Sequence, residues 1–146
     1  MVSLVLVAHS EELVIALVAV VRDITRRTPR CFPAGGTDDG RMGTSLSRVR
    51  SAIHDALDAS ADGCLVLYDA GSAWLTIGVA LDDLPARGRL RVVLSDAPLV
   101  EGALAAAARA SDGAPLFEVA EAAARALESD KRPQPGERRS PATTAG

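Results

Sequence analysis

Aromatic residues are nearly missing from this chain: one Trp, one Tyr and two Phe make 3% of 146 residues, although 48% are hydrophobic. So few rings cannot build a base-stacking platform for single-stranded nucleic acid. A formal charge of −3 leaves no basic excess to neutralise a phosphate backbone. Both absences exclude nucleic acid as a partner. Long apolar runs are missing too. The longest, Leu13 to Val21, falls far short of the roughly 20 residues a membrane helix needs. The first apolar run, Leu4 to Ala8, has no basic leader and meets His9 and two glutamates, so no signal peptide is expected. The two cysteines, Cys31 and Cys64, lie far apart without CxxC or metal-ligand spacing and read as buried free thiols of a reducing compartment. A cytoplasmic protein without membrane contact is predicted. Histidine is equally scarce: His9 and His54 are the whole supply of imidazole for chemistry near neutral pH.

What remains plentiful is Ala, Val and Leu, the material of helices stacked on aliphatic strands. Short apolar runs at 3–8, 63–69 and 89–96 have strand length and are nearly continuous, as in parallel strands covered on both faces. A weaker run at 30–34 contains Pro33, which cannot donate to a ladder and belongs on an edge. Between the runs, apolar residues recur at helical spacing: Leu13, Leu17, Val20, Val21 and Ile24; Leu46, Val49, Ile53 and Leu57; Trp74, Ile77, Leu81 and Leu84. Two further helices are expected at 99–110 and 116–127, the last with Leu116, Val119, Ala123 and Leu127 on one face. Alternating strand and helix predicts an α/β fold, a doubly wound open sheet of mainly parallel strands with right-handed crossovers. One domain over residues 1–128 is expected. From Ser129 the composition turns to proline and charge without apolar periodicity, which predicts a disordered tail over 129–146.

In such a sheet, ligands bind beyond the carboxyl ends of the strands. That rule selects His9-Ser10-Glu11-Glu12, the stretch from Gly35 to Ser45, Asp69-Ala70-Gly71-Ser72 and Asp96-Ala97-Pro98. His9 closes an apolar strand just before a helix that Ser10 can cap. Either it is the reactive group or it packs at a strand end. Asp69 closes the third strand and would face the same edge. A carboxylate on one imidazole nitrogen fixes the tautomer, leaves the other lone pair free to attack and stabilises the developing positive charge. Alternatively, Asp69 caps the helix starting near Ser72. The segment GGTDDGRMGTS offers flexible amides and a helix start that can cradle an oxyanion, but is neither a Walker A loop nor a dinucleotide fingerprint. Asp38 and Asp39 read as turn formers, and no metal site is expected. His54 sits in register with Arg50 and Asp58 on a solvated helix face. Trp74 reads as core bordering the site.

The motifs VLVAHS, AGGTDDGRMGTS, VLYDAGSAW and SDAPLVEGALAAA, in that order along residues 1–127, resemble the phosphohistidine subunits of phosphoenolpyruvate-dependent dihydroxyacetone kinases. These are relatives of the mannose-type enzyme IIA domains of the sugar phosphotransferase system. The resemblance implies the mannose-type enzyme IIA fold, with His9 phosphorylated, expectedly on Nε2, by the phosphocarrier HPr, and Asp69 holding Nδ1. It places Ser10, Gly36, Thr37, Gly43, Thr44, Gly71 and Ser72 in the phosphoryl-pocket loops. The implied acceptor is ADP in a nucleotide-binding kinase subunit, and a dihydroxyacetone-binding subunit completes the reaction. No bound cofactor is implied beyond the covalent phosphoryl group, and family members are homodimers. Larger relatives append carrier-like and enzyme I-like segments; this chain is expected to use a separate HPr and enzyme I. The rival expectations are a mannose-type sugar-transport enzyme IIA and a non-catalytic α/β binding or regulatory module.

Overall fold

The computed structural model describes residues 1–128 together with Lys131 and Arg132. The rest of the expected tail, 129–146, lies outside the described residues. Apolar runs and helical periods resolve into β1 (Ser3–Ala8), α1 (Glu11–Ile24), β2 (Cys31–Gly35), α2 (Leu46–Ala59), β3 (Cys64–Tyr68), α3 (Gly71–Asp82), α4 (Ala86–Arg89), β4 (Val92–Ser95), α5 (Leu99–Ser111) and α6 (Leu116–Ala124), followed by a 3-10 turn at Ala126–Glu128. The strands form one parallel sheet in the order β2-β1-β3-β4. Pro33 falls on the edge strand β2, where its missing amide leaves no ladder bond unmade.

Both faces of the sheet are covered, which is why β1 is buried at all six positions. Leu4, Leu6, Ala8, Leu65 and Leu67 join a core with residues of α1, α5 and α6. Val5, Val7, Cys64 and Val66 join a second core with α2 and α3. Each fully buried Val or Leu contributes roughly 1.5–3 kcal/mol of transfer free energy. Together the two layers fix the register of the sheet. From β1 the chain crosses to β2 on one side, and from α2 it returns to β3 on the other. The carboxyl ends of β1 and β3 therefore flank the point where the strand order reverses, the place such sheets leave open for a ligand.

Several helical faces differ from the sequence expectation. In α1 the buried stripe is Val14, Leu17 and Val21, while Leu13, Val20 and Ile24 are exposed. Trp74 is 51% exposed rather than core, because α3 turns Ala73, Ile77, Ala80 and Leu81 inward. Leu127 lies exposed in the 3-10 turn, beyond the end of α6. The fourth strand starts only at Val92, since Arg89 ends the short helix α4 and Leu90 is 85% exposed. Of the two free cysteines, Cys64 is buried and Cys31 only partly so. Burial pushes their thiols up to about 12 and about 11, so both are unreactive thiols at neutral pH.

Candidate functional site

The register pairs Val7 with Tyr68, which sets Asp69 level with Ala8 and its side chain within reach of His9, the following residue. The His9 main-chain N–H donates to Asp69 Oδ2 at 2.9 Å, and ring Nδ1 lies 2.9 Å from Oδ1 and 3.1 Å from Oδ2. One carboxylate thus holds both the backbone and the ring. A carboxylate only accepts, so Nδ1 carries the proton and Nε2 keeps its lone pair. Ser72 Oγ stands 2.6 Å from Nε2 and donates its hydroxyl proton to that lone pair. The His9 and Asp69 side chains are 26% and 21% exposed, held but open to a partner.

Asp69 does not cap α3. The N-cap residue is Ala70, without a side-chain bond, and the carboxylate is engaged by His9. The first amides of a helix have no intrahelical acceptor, which leaves Gly71 and Ser72 N–H groups at the positive end of α3 beside Nε2. Both residues are exposed, and nothing lies within 4 Å of where a Gly71 Cβ would stand.

The glycine-rich loop works differently from the expected amide cradle. Gly36 N–H donates to Ala8 O at 3.2 Å, Gly43 N–H to His9 O at 2.9 Å, and Thr37 N–H to Arg41 O at 2.9 Å. The first two amides close the loop on the end of β1, the third closes a turn within the loop, and all three are spent on carbonyls. The closure requires Gly43 at φ +144°, where an added Cβ would sit 2.7 Å from Thr37 Cγ2. Gly35 is equally constrained: a Cβ there would lie 2.5 Å from Ser10 O, so glycine lets α1 start against the end of β2. Ser10 caps α1, accepting from Leu13 N–H at 3.2 Å and donating to Glu12 Oε2 at 2.9 Å. Thr44 Oγ1 meets Thr76 Oγ1 at 2.8 Å, which ties the loop to α3.

Around the loop, Ser45 caps α2, and hydroxyls of Ser45 and Ser47 donate to Asp38 at 2.5 and 3.1 Å. Those two bonds hold the Asp38 carboxyl below the usual carboxylate range. Arg48 Nη1 donates to Gly35 O at 2.8 Å and pairs with Glu11 at 3.0 Å, while its Nε lies 3.7 Å from Asp38. Sequence reasoning missed Arg48 and Thr76. Arg48 had a signal: a cation in the first turn of α2 opposes the helix dipole, and such a misfit marks a residue held by something else. Thr76 had none.

Asp96 adds no hydrogen bond to His9 or Asp69 among the described residues. His54 is exposed on α2, away from this network. Met42, Trp74 and Leu75 are exposed along the loop and the first turns of α3. Among the described residues no three His, Cys, Asp or Glu side chains cluster as a metal site, and no helix is long and apolar enough to cross a membrane.

Comparison with known proteins follows the same lines. The family model of the PTS system fructose IIA component matches residues 3–121. The phosphoryl donor subunit DhaM of a PEP-dependent dihydroxyacetone kinase from Klebsiella michiganensis is 40% identical over 139 residues; the match covers 93% of this chain but 29% of that longer protein. A DhaM subunit from Listeria innocua is 35% identical over 107 residues, covering 73% of this chain and 84% of its own length. The crystal structure of EF1359, a protein of unknown function, superposes with a TM-score of 0.71 at 26% identity over 85% of this chain and 94% of that one. The chain belongs to the PTS IIA-component family and, within it, to the DhaM phosphoryl donor subunits.

Proposed function

We propose that the chain is the phosphoryl-transfer subunit of a PEP-dependent dihydroxyacetone kinase. It takes a phosphoryl group from phospho-HPr onto His9 Nε2 and passes it to ADP held in a partner kinase subunit, which serves a third, dihydroxyacetone-binding subunit. The observation that carries this reading is the two-sided hold on one imidazole, Asp69 at Nδ1 and Ser72 at Nε2. Phosphoryl transfer through a loose transition state asks chiefly for position and charge stabilisation. The Nε2 lone pair attacks phosphorus in line while the donor's P–N bond breaks, its electron pair returning to the donor nitrogen. Asp69 stabilises the positive ring that results. Ser72 first turns its hydroxyl from the lone pair to a phosphoryl oxygen, where the amides of Gly71 and Ser72 join it. Each favourable interaction at a helix N-terminus is worth about 0.3–1 kcal/mol, up to ~2 when partly buried. That suits a group handed on rather than trapped. In the second step the Nε2–P bond breaks as an ADP terminal oxygen attacks. Ser10, Gly36, Thr37, Gly43 and Thr44 position the ring and its loop. No metal is assigned to His9 in this scheme.

The exposed Met42, Trp74 and Leu75 give the site an apolar rim of the kind that meets another protein. The carboxylates of Glu11, Glu12, Asp38 and Asp39 nearby complement a basic partner surface. A cytoplasmic homodimer belongs to the same reading. A sugar-transport IIA role is the second reading, favoured by the description of the matching family model.

The test incubates the protein with phosphoenolpyruvate, enzyme I and HPr, follows acid-labile phosphate by mass spectrometry, and then adds the ADP-loaded kinase subunits. Labelling that disappears in His9→Ala, with chase to ATP, is expected. Equal labelling of His9→Ala contradicts the His9 assignment. Label that reaches a sugar permease but never ADP favours the transport reading.

A further inference from the structure

The last turn of α1 and the connection from it to β2, at the end of the sheet opposite His9, carry Arg22, Arg26, Arg27 and Arg30, all exposed. None of the four meets a carboxylate among the described residues, although Asp23 lies in the same segment and Asp62 pairs with the Met1 amine nearby. By contrast Arg41, Arg48, Arg50, Arg109 and Arg125 all do. Arg30 and Thr28 border two adjoining hollows. The larger, about 390 Å³, is also lined by Arg22. The smaller, about 190 Å³, is completed by Met1, Ser3 and Ala59.

Ser3 supplies the second observation. It is 1% exposed, and its Oγ has no hydrogen-bond partner among the described residues. Buried hydroxyls are almost always bonded, and one left unpaired where it lines a hollow asks what would fill it. Thr25 Oγ1 gives its one proton to Val21 O at 2.8 Å, so Thr28 Oγ1, 3.3 Å away, is the donor of that pair, in a long bond that its proton can exchange for one to an anion. The unpartnered Ser3 hydroxyl, the weakly bonded Thr28 hydroxyl and the guanidinium of Arg30, all on residues that line one small hollow, suit a tetrahedral oxyanion in charge and donor number. A long polyanion fits poorly, given the net charge of −3 and the size of the smaller hollow.

We propose that Ser3, Thr28 and Arg30, with Arg22 beside them, form a second anion site that binds inorganic phosphate or the phosphoryl group of a small monoester. The site is independent of the phosphoryl relay. β1 runs between them, with Ser3 opening the strand and His9 following its last residue, so the two sites share a strand and no side chain.

The experiment titrates the full-length, ¹⁵N-labelled protein with inorganic phosphate at constant ionic strength set by chloride. Amide shifts at Ser3, Leu4, Thr28 and Arg30 are expected to saturate, and the His9 loop is read on its own resonances. Arg30→Ala weakens binding about tenfold, as loss of a charge-assisted bond requires. Ser3→Ala weakens it several-fold; Thr28→Val, at an exposed position, gives the same reading should Ser3→Ala unfold. Arg87→Ala, an exposed arginine outside the hollows, leaves it unchanged. A methyl phosphate arm that binds equally assigns the site to monoesters, and a weaker one to free phosphate; either upholds the proposal. Shifts that never saturate, or an affinity untouched by both Arg30→Ala and Ser3→Ala, overturn it.

Discussion

At the carboxyl ends of the strands the polar groups satisfy one another. Asp69 holds His9 twice, Gly43 closes on the His9 carbonyl, Arg48 gathers Gly35, Glu11 and Asp38, and Thr44 reaches Thr76. At the amino ends, among the described residues, four arginines of the last turn of α1 and the α1–β2 connection meet no carboxylate, and the buried Ser3 hydroxyl lacks a partner. The difference teaches what each end is built for. A group that must accept and release a phosphoryl needs fixed geometry and weak retention. In the proposed function the first comes from the bonded loop and the second from the modest interactions that a helix start offers a phosphoryl group. Cations without a carboxylate around a hollow have the opposite character and suit the anion site proposed there.

Mutations that strike one end and spare the other sharpen this contrast. The largest effect is expected from Asp69→Asn, which keeps the shape but accepts poorly from Nδ1. Phosphoryl transfer should slow by on the order of 10²-fold or more, read by quenched-flow labelling. Next comes Gly35→Ala, whose new Cβ clashes with Ser10 O and Glu11 Cα. Urea unfolding should show a loss of about 1–3 kcal/mol, with the sheet's amino end unaltered in its phosphate titration. Ser72→Ala is expected to slow transfer roughly tenfold, by removing one donor to the phosphoryl, without a change in unfolding midpoint. The smallest effect is assigned to His54→Ala: no change in transfer or stability, measured by the same two assays. A defect equal to that of Asp69→Asn would erase the distinction between the two histidines.

Much of this was legible in the sequence where a residue's character is unambiguous. SLVLVA matched β1 in its observed bounds, because a run buried on both faces is apolar at almost every position, Ser3 being the one exception here. The meeting of His9 and Asp69 was legible because strand ends set their place before any side chain is positioned. Pro33 told its own edge. Other features were hidden by uniformity. In α1 nearly every residue from Leu13 to Val21 is apolar, so periodicity could not choose between the Leu13 and Val14 stripes. In α3 the buried positions include Ala73 and Ala80, too small to outweigh Trp74 as a signal. The loop amides were misjudged for a different reason. Whether Gly43 N–H faces outward or folds back on His9 O depends on a positive φ and on long-range closure, neither of which a sequence states.

The central claim is that one ring, fixed by Asp69 at Nδ1, receives phosphoryl at Nε2. The most direct measurement is histidine ¹⁵N–³¹P NMR on protein phosphorylated through enzyme I and HPr. One phosphorylated histidine is expected, His9, coupled through Nε2 with a proton retained at Nδ1. Coupling through Nδ1, or phosphate on His54, would contradict it.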